Sequence, residues 1–172
     1  SDIQIHVVNG KLSDHYNPRN KTINLSREIH DGTSIAALAV ASHECGHAIQ
    51  HLVGYKPLVF RNAILPLCNV GQYLGWIAVF IGLIMGNTSV AWIGVFLMGG
   101  ILLFQIVTLP VEFDASSRAL KILGNSHILY DDEISGARKV LTAAALTYVA
   151  AAASSILQLL RLLLLFGDRR DD

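Results

Sequence analysis

Hydrophobic positions follow two different periods along this chain, and the first is that of a β-strand. Apolar and polar residues alternate near the start of residues 1–33, as in a half-buried strand. Asn9-Gly10 favours a hairpin turn between the first strand and the next. The predicted strands lie around Ile3, Ile5 and Val7, over residues 11–16, and over residues 22–25.

The second period is helical and runs from Ser34 to about Val53. Thr33 or Ser34 is expected to cap the start of this helix, and Gly54 supplies a stop at its end. The small sheet ahead of it is open to two interpretations. It either caps the core or pairs one of its edges with an extended peptide substrate.

A long apolar stretch follows, with no charged residue between Arg61 and Glu112. Asn87-Thr88-Ser89 divides it into halves of about residues 67–85 and 90–109, each near the ~20 residues that span a bilayer. We predict a transmembrane hairpin over residues 62–109. The alternative is a soluble all-α protein with unusually apolar helices.

Two more helices are predicted after the hairpin. Thr108-Leu109-Pro110 is expected to close the hairpin and open a new helix, with Pro110 in its first turn, ending at Gly124-Asn125-Ser126. Asp131-Asp132-Glu133 favours the start of the next helix. Residues 140–166 hold almost no charge, so they form either a third span, which we favour, or a long amphipathic helix.

Composition supports a membrane protein. Charged residues are 15% of the chain against a usual share of about 25%, and 13 basic residues balance 13 acidic ones. Nothing in this balance suggests a nucleic-acid surface. The fold class is therefore mainly α, in one membrane domain over residues 1–172. Its parts are the β region 1–33, the helix 34–54, the hairpin 62–109, the helix and loop 110–139, and the hydrophobic helix 140–166.

The positive charges indicate an orientation in the bilayer. Ten of the thirteen lysines and arginines lie in the segments expected on the same side of the hairpin as the β region. By the positive-inside rule that side is cytoplasmic. Arg169 and Arg170 would lie on the opposite side and argue against this orientation.

The candidate chemistry lies in the sequence His43-Glu44-Cys45-Gly46-His47. Histidines four residues apart share one helix face, so both imidazoles can hold one zinc ion. Glu44 is then placed to act as general base towards a water molecule. A hydrogen-bonded histidine pair without metal is the alternative, but it does not explain a glutamate at this position. Cys45 could be a further ligand, although it points away from the histidine face and is interpreted as structural.

A hydrolytic zinc site usually has three protein ligands, and Glu112 is the best third candidate. It follows the hairpin directly, where an unpaired carboxylate would be costly. A third histidine six residues after the second is another common pattern, but Val53 stands there. The remaining ligand candidates are Asp114, His51, His127 and Glu133, and the candidates for stabilising an oxyanion are Arg118, His51 and Tyr55.

Several strings together resemble one family, the bacterial membrane-bound neutral zinc metallopeptidases, also called YugP-like. The resemblance covers nearly the whole chain, and it implies a zinc-dependent protease in a membrane. Members usually carry another transmembrane helix ahead of the strand region, so the resemblance implies that this chain is a member lacking its N-terminal anchor. The strings are residues 14–19, Leu25-Ser26, residues 34–37, 43–50, 108–116 and 143–150.

The family is similar in arrangement to the CAAX prenyl protease and HtpX-type membrane gluzincins. Glu112-Phe113 followed by Ala115 matches their third-ligand string, which supports Glu112. Those relatives carry an aspartate where this chain has Ser116, so the resemblance implies another partner for a zinc-bound histidine, such as Asp114. It also implies that residues 22–26 form the strand beside the substrate.

The resulting hypothesis is a zinc-dependent endopeptidase of the bacterial cytoplasmic membrane, with its site facing the cytoplasm. His43, His47 and Glu112 hold Zn²⁺, and Glu44 moves the proton during hydrolysis of a polypeptide substrate. One alternative is a non-catalytic membrane scaffold or adaptor with a structural metal. A second is an enzyme that hydrolyses a non-peptide amide.

Overall fold

The computed structural model describes residues 3–167, which divide into two compact units. The first unit, here called the site unit, holds residues 3–58 and Pro110–Leu146; the second, the apolar unit, holds Val59–Leu109 and residues 147–167. The elements are β1 Gln4–Val8, β2 His15–Asn17, β3 Thr22–Ser26, α1 Arg27–His30, α2 Ile35–Leu52, α3 Lys56–Ile84, α4 Thr88–Asn125 and α5 Asp131–Gly167.

The sheet of the site unit has the strand order β1-β3-β2. β3 pairs in parallel with β1 and antiparallel with β2, so the predicted hairpin between the first two strands is wrong. The strand predicted over residues 11–16 is also shorter in the structure, because Asp14 bonds to the end of β3 and does not pair in the sheet. Its carboxylate accepts a hydrogen bond of 2.7 Å from the backbone N–H of Ser26 and ties the preceding loop to the end of β3.

The central place of β3 follows from its side chains. Ile23 and Leu25 are 4% and 5% exposed and pack with Ala48 of α2, whereas the side chains of β1 are largely exposed. Because both edges of β3 are paired, residues 22–26 cannot pair with an extended substrate through a strand edge. Among residues 3–167, no further strand pairs with the outer edges of β1 and β2.

α2 forms where the helical pattern predicts it. The Ser34 hydroxyl accepts a hydrogen bond of 3.1 Å from the backbone N–H of Ala37, which confirms Ser34 as N-cap. Gly54 follows the helix with a φ of +63°, a conformation that suits glycine. On another face of α2, Ala39 packs into a core with α4 and α5 that includes Ala119, Leu123 and Leu141.

The apolar unit contains all residues of the predicted hairpin, 62–109. α3 and α4 are joined at Met85–Asn87, and Gly86 in this turn has a φ of +64°. α3, α4 and α5 are each long and apolar enough to cross a membrane. The fold class is therefore confirmed: a mainly helical protein with a small N-terminal sheet and three long apolar helices.

The predicted boundary at Thr108-Leu109-Pro110 is absent, because α4 continues through it to Asn125. The Thr108 hydroxyl donates a hydrogen bond of 2.8 Å to the carbonyl of Phe104 and caps no new helix. Pro110 lacks an N–H and therefore removes only the helical bond to the carbonyl of residue 106. The predicted end near Gly124 and the predicted start at Asp131 are both observed.

Candidate metal centre

Three potential ligands converge in the site unit. α2 presents His43 and His47 one turn apart, and α4 brings Glu112 to them. Atom Oε2 of Glu112 lies 3.1 Å from Nε2 of His43 and 3.5 Å from Nε2 of His47. The ligand atoms lie within 4.8 Å of one another, so they can hold one metal ion. Two imidazole nitrogens and a carboxylate oxygen fit zinc.

A close helix contact determines how near α4 comes to the two histidines. Gly46 lies between them on α2, and a Cβ atom at this position would overlap the carbonyl oxygen of Ala115. A side chain here would therefore push α4 away. Because Ala115 lies three residues after Glu112, this contact also positions the third ligand.

Each histidine has a partner at its second ring nitrogen. Nδ1 of His43 lies 3.1 Å from the hydroxyl of Ser116, and Nδ1 of His47 lies 3.0 Å from Oε1 of Gln50. Such contacts leave Nε2 for the metal and fix the orientation of the ring. The structure thus places Ser116 itself beside His43, where the sequence comparison with gluzincins implied a different residue.

Gln50 connects His47 to a longer chain of polar contacts. It is fully buried, and its Nε2 donates hydrogen bonds of 2.8 Å to the carbonyl of Val111 and to the carboxylate of Asp114. Both amide hydrogens are therefore used, and Oε1 can only accept from His47. Asp114 does not contact a histidine directly but is linked to His47 through Gln50.

The series of polar contacts continues from Asp114 to two of the residues predicted to stabilise an oxyanion. Nε of Arg118 donates a hydrogen bond of 2.6 Å to Asp114, and the guanidinium carbon lies 5.8 Å from the ring centroid of Tyr55. These contacts link Arg118 and Tyr55 to Nδ1 of His47 through Asp114 and Gln50. The third candidate, His51, contacts the hydroxyl of Tyr16 through Nδ1 at 2.8 Å.

Glu44 is buried beside the two histidines, with 7% of its surface exposed. Burial raises the pKa of its carboxyl group, although the charges of His47 and His43 and a hydrogen bond from the backbone N–H of Tyr16 act in the opposite direction. Tyr16 belongs to β2, an edge strand of the sheet. The candidate base is thus held by an edge strand of the sheet.

The other residues considered as ligands lie elsewhere. Cys45 packs with the sheet against Ala48, and burial raises the pKa of its thiol. His127 is exposed, and the Glu133 carboxylate accepts a hydrogen bond of 2.9 Å from the N–H of Tyr130. Among the described residues, only His43, His47 and Glu112 form a group able to hold a metal.

Sequence reasoning missed the roles of Gln50, Ser116 and Tyr16. Two of them carried a usable signal, because residues three or four apart share a helix face. Gln50 lies three residues after His47, and Ser116 lies four residues after Glu112. Tyr16 reaches the site only through the pairing of the strands, which no local spacing indicates.

Residues 1–167 match the family described as "Putative neutral zinc metallopeptidase". The chain belongs to this family of neutral zinc metallopeptidases. It is 42% identical over 171 residues to the "Putative membrane protease YugP" of Bacillus subtilis (strain 168), a match that covers 99% of the chain and 76% of that protein. No solved structure matches. The resemblance inferred from the sequence is confirmed, as is the assignment of zinc and of a membrane protein.

Proposed function

We propose that this neutral zinc metallopeptidase is an endopeptidase of the bacterial cytoplasmic membrane, acting on polypeptides at the cytoplasmic face. The observation that carries the proposal is the approach of both Nε2 atoms to one oxygen of Glu112, with the buried carboxylate of Glu44 beside them. A hydrolytic site needs this combination of ligands and base.

His43, His47 and Glu112 would hold the zinc ion. When bound, zinc supplies a Lewis acid that polarises the scissile carbonyl and lowers the pKa of water to about 7. Glu44 takes the proton of the attacking water on its carboxylate and delivers it to the nitrogen of the leaving amine.

Other residues of the chain orient these groups. Gln50 and Ser116 hold the two imidazoles, and the backbone N–H of Tyr16 holds Glu44. Arg118, His51 and Tyr55 stay the candidates for stabilising the oxyanion. Arg118 is bound to Asp114 through Nε, so it would have to act through its terminal nitrogens.

The number of ligands favours an enzyme over a scaffold with a structural metal. Structural zinc sites usually have four protein ligands, whereas catalytic sites have three. Within residues 3–167, three side chains form the metal-binding group. A non-peptide amide substrate would use the same groups, and a cleavage assay with peptides distinguishes it.

The test is the Glu44→Gln variant, with Glu28→Gln as a matched control because Glu28 is exposed on α1. Zinc content is measured by elemental analysis, and cleavage is measured with a peptide library. We expect one zinc in all three proteins and cleavage in the wild type and the control only. Cleavage by zinc-loaded Glu44→Gln would contradict the assignment of the base, and zinc without any cleavage would favour the scaffold.

The orientation requires a separate test. In a variant without Cys45 and Cys68, a single cysteine at exposed Lys11 is treated with a membrane-impermeant thiol reagent. We expect labelling in inside-out vesicles and none in intact spheroplasts. The reverse result would place the site unit on the outer face.

A further inference from the structure

The apolar unit contains a groove between α3 and α5 that the proposed hydrolysis does not use. Its volume is about 600 Å³, within the usual range of small-molecule sites. The apolar walls include Trp76 and Phe80 of α3 and Leu157 and Leu165 of α5, and two polar side chains, Gln158 and Arg161, line the same groove.

Arg161 is the charged side chain that lines this groove. The sequence has no aspartate or glutamate in residues 59–109 or 147–167, which make up the described part of the apolar unit. Arg161 interrupts a helix that is otherwise uncharged from Val140 to Gly167. A charge within a membrane helix is costly, and such residues are usually paired or mark a binding site. The groove therefore offers positive charge to an anionic ligand.

Arg161 lies near the C-terminal end of the long apolar helix α5. Gly167 lies six residues further on, about 9 Å along a helix, and the charged sequence 168–172 follows it. Leu83, which also lines the groove, is one residue from the end of α3 at Ile84. The groove thus lies near the end of the span, where a headgroup can reach the guanidinium.

We propose that this groove binds one anionic phospholipid. The headgroup phosphate accepts hydrogen bonds from the guanidinium of Arg161 and the amide of Gln158, which lie three residues apart on α5. One acyl chain lies against the wall formed by Trp76 and Phe80. The apolar wall is the reason to choose a lipid over free phosphate, because inorganic phosphate would leave that surface uncovered.

The test counts the phospholipids that remain on the full chain. The protein is placed in nanodiscs of phosphatidylcholine with a minor share of phosphatidylglycerol, released in the gas phase, and examined by native mass spectrometry. Arg161→Gln is compared with the wild type, and Arg61→Gln is the matched control because Arg61 is the other arginine of the described apolar unit. Zinc content and helicity report on folding.

We expect Arg161→Gln to retain at least about tenfold less phosphatidylglycerol than the wild type, with zinc content unchanged, and Arg61→Gln to retain the wild-type amount. Leu83→Trp, which fills the groove without altering charge, is expected to lose the lipid as well. This second variant keeps the proposal testable if Arg161→Gln folds poorly.

Three results would overturn the proposal. One is equal retention by the wild type and either groove variant. Another is an equal loss in Arg61→Gln, which would show a general effect of charge. The third is displacement of phosphatidylglycerol by inorganic phosphate alone at millimolar concentration, which would show that the groove recognises the phosphate and not the lipid.

Discussion

Helix α4 makes two close contacts with neighbouring helices, and small residues permit both. In the site unit, Gly46 of α2 lies against the carbonyl of Ala115. In the apolar unit, a Cβ atom on Gly94 would lie 2.6 Å from the carbonyl oxygen of Gly75 on α3. Both contacts let two helix backbones approach more closely than larger side chains would allow.

The surroundings of the two contacts differ. Around Gly46 lie the buried polar groups of the metal site, whereas around Gly94 lie apolar side chains such as Val79 and Met98. In the site unit, the close contact between helices therefore fixes the geometry of the ligands. In the apolar unit, a similar contact only joins two apolar helices. The predictions below test this difference, beginning with the largest expected effect.

Removing the Glu112 carboxylate, which lies near the contact in the site unit, should have the largest effect on zinc affinity. Losing a residue that only hydrogen-bonds to a metal ligand can lower metal affinity by up to ~100-fold. We expect Glu112→Ala to lower zinc affinity by more than this, because it removes a direct ligand. Zinc titration followed by elemental analysis measures this, with Glu28→Ala as control. An unchanged zinc stoichiometry would mean that another residue is the third ligand.

Adding one methyl group at each contact should separate their roles. Gly46→Ala and Gly75→Ala both force a Cβ atom against the backbone of α4, at Ala115 and Gly94 respectively. We expect each to lower the free energy of unfolding by about 1–3 kcal/mol. Only Gly46→Ala should also lower zinc affinity, by about tenfold or more, because it displaces Glu112.

Denaturant unfolding in detergent and zinc titration of the two variants check this prediction. If Gly75→Ala lost as much zinc affinity as Gly46→Ala, the two contacts would not be separable and the comparison would fail.

The partners of the two histidines should contribute unequally. Gln50→Leu removes a fully buried amide with three contacts, so we expect zinc affinity to fall about 10–100-fold. Ser116→Ala should cost less, because water can reach His43, whose side chain is 15% exposed. Zinc affinity is measured by competition with a chelator. An equal loss in both variants would contradict a special role for Gln50.

The smallest effect is expected on α4 away from both contacts. Gly124 has nothing within 4 Å of the position of a Cβ atom. Gly124→Ala should therefore stabilise the protein by up to about 1 kcal/mol, because alanine loses less backbone entropy in a helix. Thermal unfolding measures it, and a clear destabilisation would show that α4 is held differently there.

The parts of the fold that depend on local spacing could be predicted from the sequence. The four-residue spacing of His43 and His47, the cap at Ser34 and the charge-free stretches are all local signals. Glu112 was found because a buried carboxylate after an apolar span needs a partner.

The parts that depend on distant contacts could not be predicted. The central place of β3 results from its burial against α2, and the bond between Asp14 and Ser26 joins residues twelve apart. Pro110 was interpreted as the start of a helix because proline is common there, but a long helix can also absorb one missing hydrogen bond. Gln50 was overlooked because its role depends on Val111 and Asp114 of another helix.

The pairing of His43 with Glu112 has a further consequence, since the two residues are 69 positions apart in the chain. A zinc ion held by both would act as a removable crosslink between α2 and α4. A ligand that binds only the folded state adds about 2.7 kcal/mol of stability at a hundred times its dissociation constant. The lifetime of this protein against cellular proteases would then depend on the free zinc concentration, and chelation would shorten it even where no substrate is cleaved.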